Sequence, residues 1–259
     1  MSSIIDAFNE TFTEKQAYLK FFVYAIPVFF TAKAFINGQM SLFWFYGFLT
    51  AMLIFALLTS AISNVRMNKQ EILTFNPFTL LISLLKGLLA MIPQLILFFV
   101  IGNLLIKIQI PIDIPHIQQI YEIIVYIIIS SIILTSYMAF AKYLEIKQAY
   151  NYKVILESCI DIIVNLMFFI PQWLIANTII VGPILYIYSL FHIPYSHWTF
   201  IFYCSMVTIA NISIIANYLS QTSYELIKGE GQEYNDNYEI KSANELSEEE
   251  IKEFKKRKR

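Results

Sequence analysis

The stretch that decides the fold class is "IIVNLMFFIPQWLIANTIIVGPILYIYSL", residues 162–190, which contains no Asp, Glu, Lys or Arg. The charge-free region continues to residue 224. A helix of about 20 predominantly apolar residues is long enough to cross the hydrocarbon core of a bilayer. Residues 162–190 therefore predict a transmembrane helix that is long enough to tilt, or to break at Gly182-Pro183.

The composition of the whole chain agrees with this interpretation. Its 259 residues are 58% hydrophobic and only 14% charged, and the mean hydropathy is +0.60. Soluble domains carry about 25% charged residues. We therefore expect an all-α polytopic integral membrane protein. The six predicted spans are 18–36, 40–62, 80–106, 123–141, 162–190 and 198–218.

Three segments outside the spans have their own character. Residues 1–17 form an N-terminal amphipathic segment, and residues 142–158 predict an amphipathic helix lying in the membrane interface. Residues 225–259 combine turn-forming and charged residues and predict a flexible cytoplasmic tail. Ser247 and Glu250 have capping-box spacing, which predicts a short charged helix near the end of the tail.

The orientation follows from basic residues in short connections, which favour the cytoplasmic side. Both termini are therefore expected in the cytoplasm. Lysine outnumbers arginine by 15 to 3, as AT-rich genomes tend to encode, so we expect a bacterial protein of the plasma (inner) membrane. The basic residues that set this orientation are Lys15, Lys20, Arg66, Lys69, Lys142, Lys147 and Lys153.

Two proline motifs suggest an internal repeat. "IPQ" occurs at 92–94 and again at 170–172, and "KQ" occurs at 69–70 and 147–148, each pair being 78 residues apart. This offset predicts two helical hairpins that run in the same direction, related by an axis along the membrane normal. Matches this short also arise by chance in an Ile- and Leu-rich chain, so duplication and coincidence both remain open.

Each "IPQ" motif also carries a polar side chain beside a proline. Proline has no backbone N–H, so a helix loses one hydrogen bond and a carbonyl is left unpaired. The amides of Gln94 and Gln172 are close enough in sequence to bond these carbonyls.

Polar side chains inside the predicted spans form the first candidate site. Such groups usually face the interior of a bundle and bond across helices, but they also mark solute pathways. A helix-packing seam and a polar pathway are both open interpretations. The residues concerned are Gln94, Asn165, Gln172, Ser213, Asn217 and Ser220.

A second candidate is an ion pair inside the membrane. Lys86 lies within the third span and Asp161 at the threshold of the fifth, so the two would meet if those helices were neighbours. Alternatively, Lys86 extends its ammonium group to the interface and pairs with nothing, as is expected of Lys20 at the start of the first span.

Motifs for catalysis, cofactors and metals do not occur in the sequence. It lacks H-E-x-x-H and G-x-S-x-G, and its seven glycines form no phosphate-binding loop. The three histidines have no carboxylate or thiol nearby to complete a metal site. Cys159 and Cys204 are expected to act as small hydrophobic residues. No catalytic residue, cofactor, metal site or nucleic-acid partner is predicted.

Three functions remain. A non-enzymatic membrane scaffold or accessory subunit is the first, because catalytic motifs are lacking. A small-solute permease or channel, with a polar pathway between kinked helices, is the alternative, and an intramembrane enzyme acting on lipid is the second alternative. The expected partners are the bilayer and another membrane protein. Anionic lipid headgroups would meet the end of the tail at Lys255, Lys256, Arg257, Lys258 and Arg259, unless the tail is simply solvated.

Overall fold

A computed structural model describes residues 4–67, 69, 71–108 and 116–226, with side chains as far as residue 222. Helices account for nearly all of this part of the chain, which confirms the all-α fold class. The seven α-helices are α1 (Ile4–Thr13), α2 (Ala17–Ile36), α3 (Met40–Arg66), α4 (Pro77–Ile106), α5 (Ile117–Ala141), α6 (Tyr152–Leu190) and α7 (Trp198–Leu226).

The described residues contain six helices, α2 to α7, that are long and apolar enough to cross a membrane. This confirms the number of spans. α4 begins at Pro77, three residues earlier than predicted, because the side chain of Asn76 accepts a hydrogen bond from the Phe78 N–H (3.0 Å) and proline is favoured in the first helical turn. The predicted tail helix and basic cluster lie outside the described residues.

α6 is the longest helix and remains unbroken. Its 39 residues include both Pro171 and Pro183, so the chain does not break at Gly182-Pro183. At 1.5 Å per residue, α6 is about 58 Å long, nearly twice the thickness of a hydrocarbon core. One end of α6 therefore extends beyond the apolar layer.

The connection between α5 and α6 differs from the predicted interfacial helix over 142–158. A turn, with Leu144 at φ +56°, leads into a short 3-10 helix, Ile146–Tyr150, and α6 already begins at Tyr152. The carbonyl of Ala149 accepts hydrogen bonds from Ser136 Oγ and Gln94 Nε2, both at 2.7 Å. These contacts hold the connection against α4 and α5, so one continuous helix along the membrane surface does not form.

α7 lies at the centre of the bundle. It packs against α1, α2, α3, α5 and α6, and 56% of its apolar window is buried, against 28% for α6. Small residues permit this close packing, since Ala210, Ser213 and Ala216 on α7 are all buried. α3 is also central, because it packs against α2, α4, α5 and α7.

Side chains tie α3 to α5 near the ends of both helices. Thr59 Oγ1 and the Tyr137 hydroxyl lie 2.8 Å apart, and Ser63 Oγ donates to the carbonyl of Lys142 (3.1 Å). These two polar contacts join α3 and α5 at the end of the bundle where both helices terminate. α1 also packs on α7, where the buried Ala7 of α1 contacts Ile214 of α7.

This architecture makes a prediction about topology. Three spans separate Gln39 from Lys147, and both residues are exposed, so the two must lie on opposite sides of the membrane. In a background with Cys159 and Cys204 replaced by Ser, we expect an impermeant maleimide to label Q39C and K147C from opposite faces of oriented vesicles. Labelling of both from one face would contradict the six-span arrangement.

Candidate functional site

Gln94 is fully buried and holds the connection between α5 and α6. Its Nε2 donates to the Ala149 carbonyl (2.7 Å), and its Oε1 accepts from the hydroxyl of Tyr152 (2.9 Å). The expected bond to the carbonyl that Pro93 leaves unpaired is therefore wrong for this copy of the motif. Gln94 instead joins α4 to the start of α6.

Gln172, in the second copy, has a different environment. Its side chain is exposed on α6 and makes no hydrogen bond to any described residue. Asn165, two turns earlier, donates from Nδ2 to the Asp161 carbonyl of its own helix (3.0 Å). Neither residue contributes to an interior pathway.

The predicted polar residues of α7 face other helices. Asn217 Nδ2 donates to Glu10 Oε2 on α1, and Ser220 Oγ donates to the carbonyls of Ala216 and of Ile62 on α3. Ser213 Oγ is buried without a hydrogen-bond partner among the described residues. The six residues predicted as a pathway or seam thus fall into separate contacts and do not line one continuous path.

The predicted ion pair between Lys86 and Asp161 is not formed. Both side chains are exposed, and the described residues contain no salt bridge between them. The physical reason is helix rotation, because α4 turns Gly87 and Gln94 inward and α6 turns Ile162 inward. An extended Lys86 that reaches the interface remains a prediction.

A buried ion pair occurs elsewhere, between Glu14 and Lys20. Both side chains are 1% exposed, and Lys20 Nζ donates to Glu14 Oε1. The same oxygen accepts the backbone N–H groups of Ile72 (3.0 Å) and Leu73 (3.2 Å). Lys20 therefore does not extend to the interface as expected; it joins the α1–α2 junction to the α3–α4 loop. Glu71 adds a second carboxylate 3.5 Å from Lys20 Nζ.

Further polar bonds fix the same loop from α2 and α3. The Tyr24 hydroxyl donates to the Thr74 carbonyl, and Asn64 Nδ2 donates to the Ile72 carbonyl (3.1 Å). Burial raises the pKa of Glu14 above its ordinary value, outweighing the opposing effects of Lys20 and of the two backbone N–H groups.

A crevice with some polar lining lies between α6, α7 and Ile54 of α3. Its volume is about 450 Å³. Asn211 Nδ2 donates to Asn177 Oδ1 (2.7 Å), and Asn177 Nδ2 donates back to Asn211 Oδ1 (3.1 Å). Trp173 Nε1 donates to the same Asn211 oxygen (2.8 Å). The sequence interpretation missed this network, although two asparagines inside apolar spans are a visible signal.

The chemistry open to this crevice is limited. Each amide bonds another group of the same network, and the remaining walls are mainly apolar, with Val181, Val207 and Ile212 among them. In the described part of the chain, no three His, Cys, Asp or Glu side chains are grouped to hold a metal ion. The crevice is therefore suited to an apolar chain rather than to a charged solute.

The ion pair gives a direct stability prediction. E14Q removes the buried carboxylate that bonds Lys20 and leaves the buried ammonium with only the exposed carboxylate of Glu71 at 3.5 Å, so we expect a loss of about 3 kcal/mol in the free energy of unfolding. Thermal unfolding in detergent measures this as a lower midpoint. The double variant E14Q/K20M removes both charges and should recover part of the loss; a double variant less stable than E14Q would contradict the pairing.

The asparagine pair can be measured separately. N177L and N211L each leave one amide without its partner, and a double-mutant cycle should give a coupling of about 0.6–1.7 kcal/mol. T178V is the matched control, because Thr178 Oγ1 bonds only the Leu174 carbonyl of its own helix (2.9 Å). Coupling between T178V and N211L as large as that of the pair would reject the network.

Comparison with known proteins gives no relative for this chain. No protein-family model matches the sequence, and neither a curated protein nor a solved structure is similar to it.

Proposed function

We propose that this protein is a non-enzymatic scaffold or accessory subunit of a membrane assembly. The single observation that carries the proposal is that every buried amide of the described spans bonds a group of the same chain. Interior polar groups that are used in this way stabilise a bundle and are not free to bind a solute or to react.

Transport and catalysis have weaker support from the same side chains. A polar solute needs protein groups that replace its water, whereas Gln94, Asn211 and Asn217 already bond the protein itself. A lipid-acting enzyme needs an acid or base beside its substrate, with a partner that tunes it. Asp161 is exposed and has no such partner among the described residues.

The location and the partners belong to this proposal. We place the protein in the plasma (inner) membrane of a bacterium with both termini in the cytoplasm, which an even number of spans permits. The basic end of the tail would then lie near anionic lipid headgroups, and each basic residue would contribute about 1 kcal/mol at the surface.

A second candidate, a small-solute permease, has one specific observation in its favour. The crevice lies between α6 and α7 at Asn177. Further along the same two helices, α1 packs between them beside Phe169 and Tyr218. Displacement of α1 would lengthen the crevice along α7.

The test is the state of the protein in its own membrane. Extracted with surrounding lipid at its natural abundance, the chain is expected to migrate as a stoichiometric complex with a second membrane protein, as measured by native mass spectrometry. A monomer under these conditions would contradict the scaffold proposal, and solute flux through vesicles containing only this chain would favour the permease.

A further inference from the structure

One face of α6 combines exposure with polar side chains. Its members recur at intervals of three, four or seven residues, the spacing of a single helix face. Phe168 is 66% exposed and Ile179 is 69% exposed, and among the members of this face only Asn165 is half-buried. We name it the α6 stripe, and it consists of Glu157, Asp161, Asn165, Phe168, Gln172, Ile175 and Ile179.

Gln172 is unique among the amide side chains of the described spans. Each of the others, from Asn64 on α3 to Gln221 on α7, makes a side-chain hydrogen bond, whereas Gln172 makes none to a described residue. The adjoining Pro171 supplies no N–H to the preceding turn, which adds to the unpaired polar groups at this level of α6.

The depth of Gln172 explains why this matters. Tyr186 is 14 residues further along α6, or about 21 Å, and lies in the tyrosine-rich end of the helix that is typical of an interface. With a hydrocarbon core of about 30 Å, Gln172 falls inside the core. Asp161 is 11 residues in the other direction, about 16 Å away, and falls in the headgroup layer.

A lone amide at this depth is unfavourable. Hydrocarbon chains offer it neither a donor nor an acceptor, and the side chain is too short to reach the interface. A neighbouring transmembrane helix can satisfy both ends of the amide with one amide or hydroxyl side chain. The hydrogen-bonding chemistry of Gln172 therefore fits a protein helix better than it fits lipid.

The charges on the stripe distinguish between partners. Glu157 and Asp161 are exposed and acidic, and they are the charged residues of this face nearest the apolar layer, because the exposed Lys153 lies one turn before Glu157 and further from Gln172. A second copy of the chain docked on the same stripe about a two-fold axis would place these carboxylates against their own equivalents, which is unfavourable. A helix with Lys or Arg at this end complements them, and such residues commonly flank spans on the cytoplasmic side.

We propose that the α6 stripe is the docking surface for one transmembrane helix of another protein. That helix carries an amide or hydroxyl side chain opposite Gln172 and a basic pair opposite Glu157 and Asp161. The proposal rests on the scaffold function and names the surface that performs it.

The experiment uses the full chain in lipid vesicles and synthetic helices as probes. One peptide is a leucine helix with two lysines at one end and a glutamine 11 residues from them, which matches the spacing from Asp161 to Gln172. The comparison peptide has leucine in place of glutamine. Energy transfer between labelled peptide and protein should show about threefold to tenfold tighter binding of the glutamine peptide.

Three variants locate the binding. Q172L should abolish the preference for the glutamine peptide. L174A is the matched control, because Leu174 is 53% exposed at nearly the same depth on the opposite side of α6, and it should leave the preference unchanged. The double variant E157K/D161K should transfer the preference to a peptide with glutamates in place of lysines.

Two results of the vesicle experiments would overturn the docking surface. One is equal binding of both peptides to the unmodified chain, or a preference for the glutamine peptide that persists in Q172L. The other is efficient disulfide formation between two copies of Q172C, without any peptide preference in the unmodified chain, which would assign the stripe to a second copy. If the native complex persists in Q172L and E157K/D161K, the scaffold function stands and the stripe is not its surface. If the unmodified chain has no native complex, the scaffold function itself fails.

Discussion

The buried ion pair between Glu14 and Lys20 is the contact on which much of the bundle depends. Removing two charges from water costs several kcal/mol per ion, and the attraction between them offsets this only with good geometry and further hydrogen bonds. The backbone N–H groups of Ile72 and Leu73 supply those bonds. The pair therefore fixes the α3–α4 loop against the start of α2, and it fixes the path by which α1 reaches α7.

The position of α1 has a consequence for the centre of the membrane. Its buried face packs with Ile214 and Tyr218 of α7 and with Phe169 of α6. α1, α6 and α7 therefore pack together in this region, and α1 takes part of the place where α6 and α7 would otherwise contact each other. Further along the same helices, α6 and α7 are joined by the Asn177–Asn211 pair beside the crevice. A polar bond replaces part of the apolar contact at this point, because an amide pair can bridge helices that are not closely packed.

The spans could be predicted from the sequence because hydropathy depends only on the residues of one segment. Residues 162–190 are recognisable as a membrane helix without knowledge of what packs beside them. Polar partners are different, since they depend on how each helix is rotated and on what packs beside it. The predicted pairing of Lys86 with Asp161 was wrong for this reason. Lys20 was assigned to the interface because nothing in the sequence places the loop at residues 71–76 over its ammonium group.

The two "IPQ" motifs have the same sequence but different surroundings in the structure. Both lie inside a long apolar helix, yet Gln94 is fully buried and bonds the α5–α6 connection, whereas Gln172 is exposed. If the hairpins are duplicated, the counterpart of Ala149 beside the second copy is residue 227, which lies outside the described part of the chain. Among the described residues, Gln172 therefore has no group in the place that Ala149 takes beside Gln94. An unpaired amide inside an apolar layer is unfavourable, so a helix with an amide or hydroxyl side chain packed on α6 would complete its hydrogen bonds.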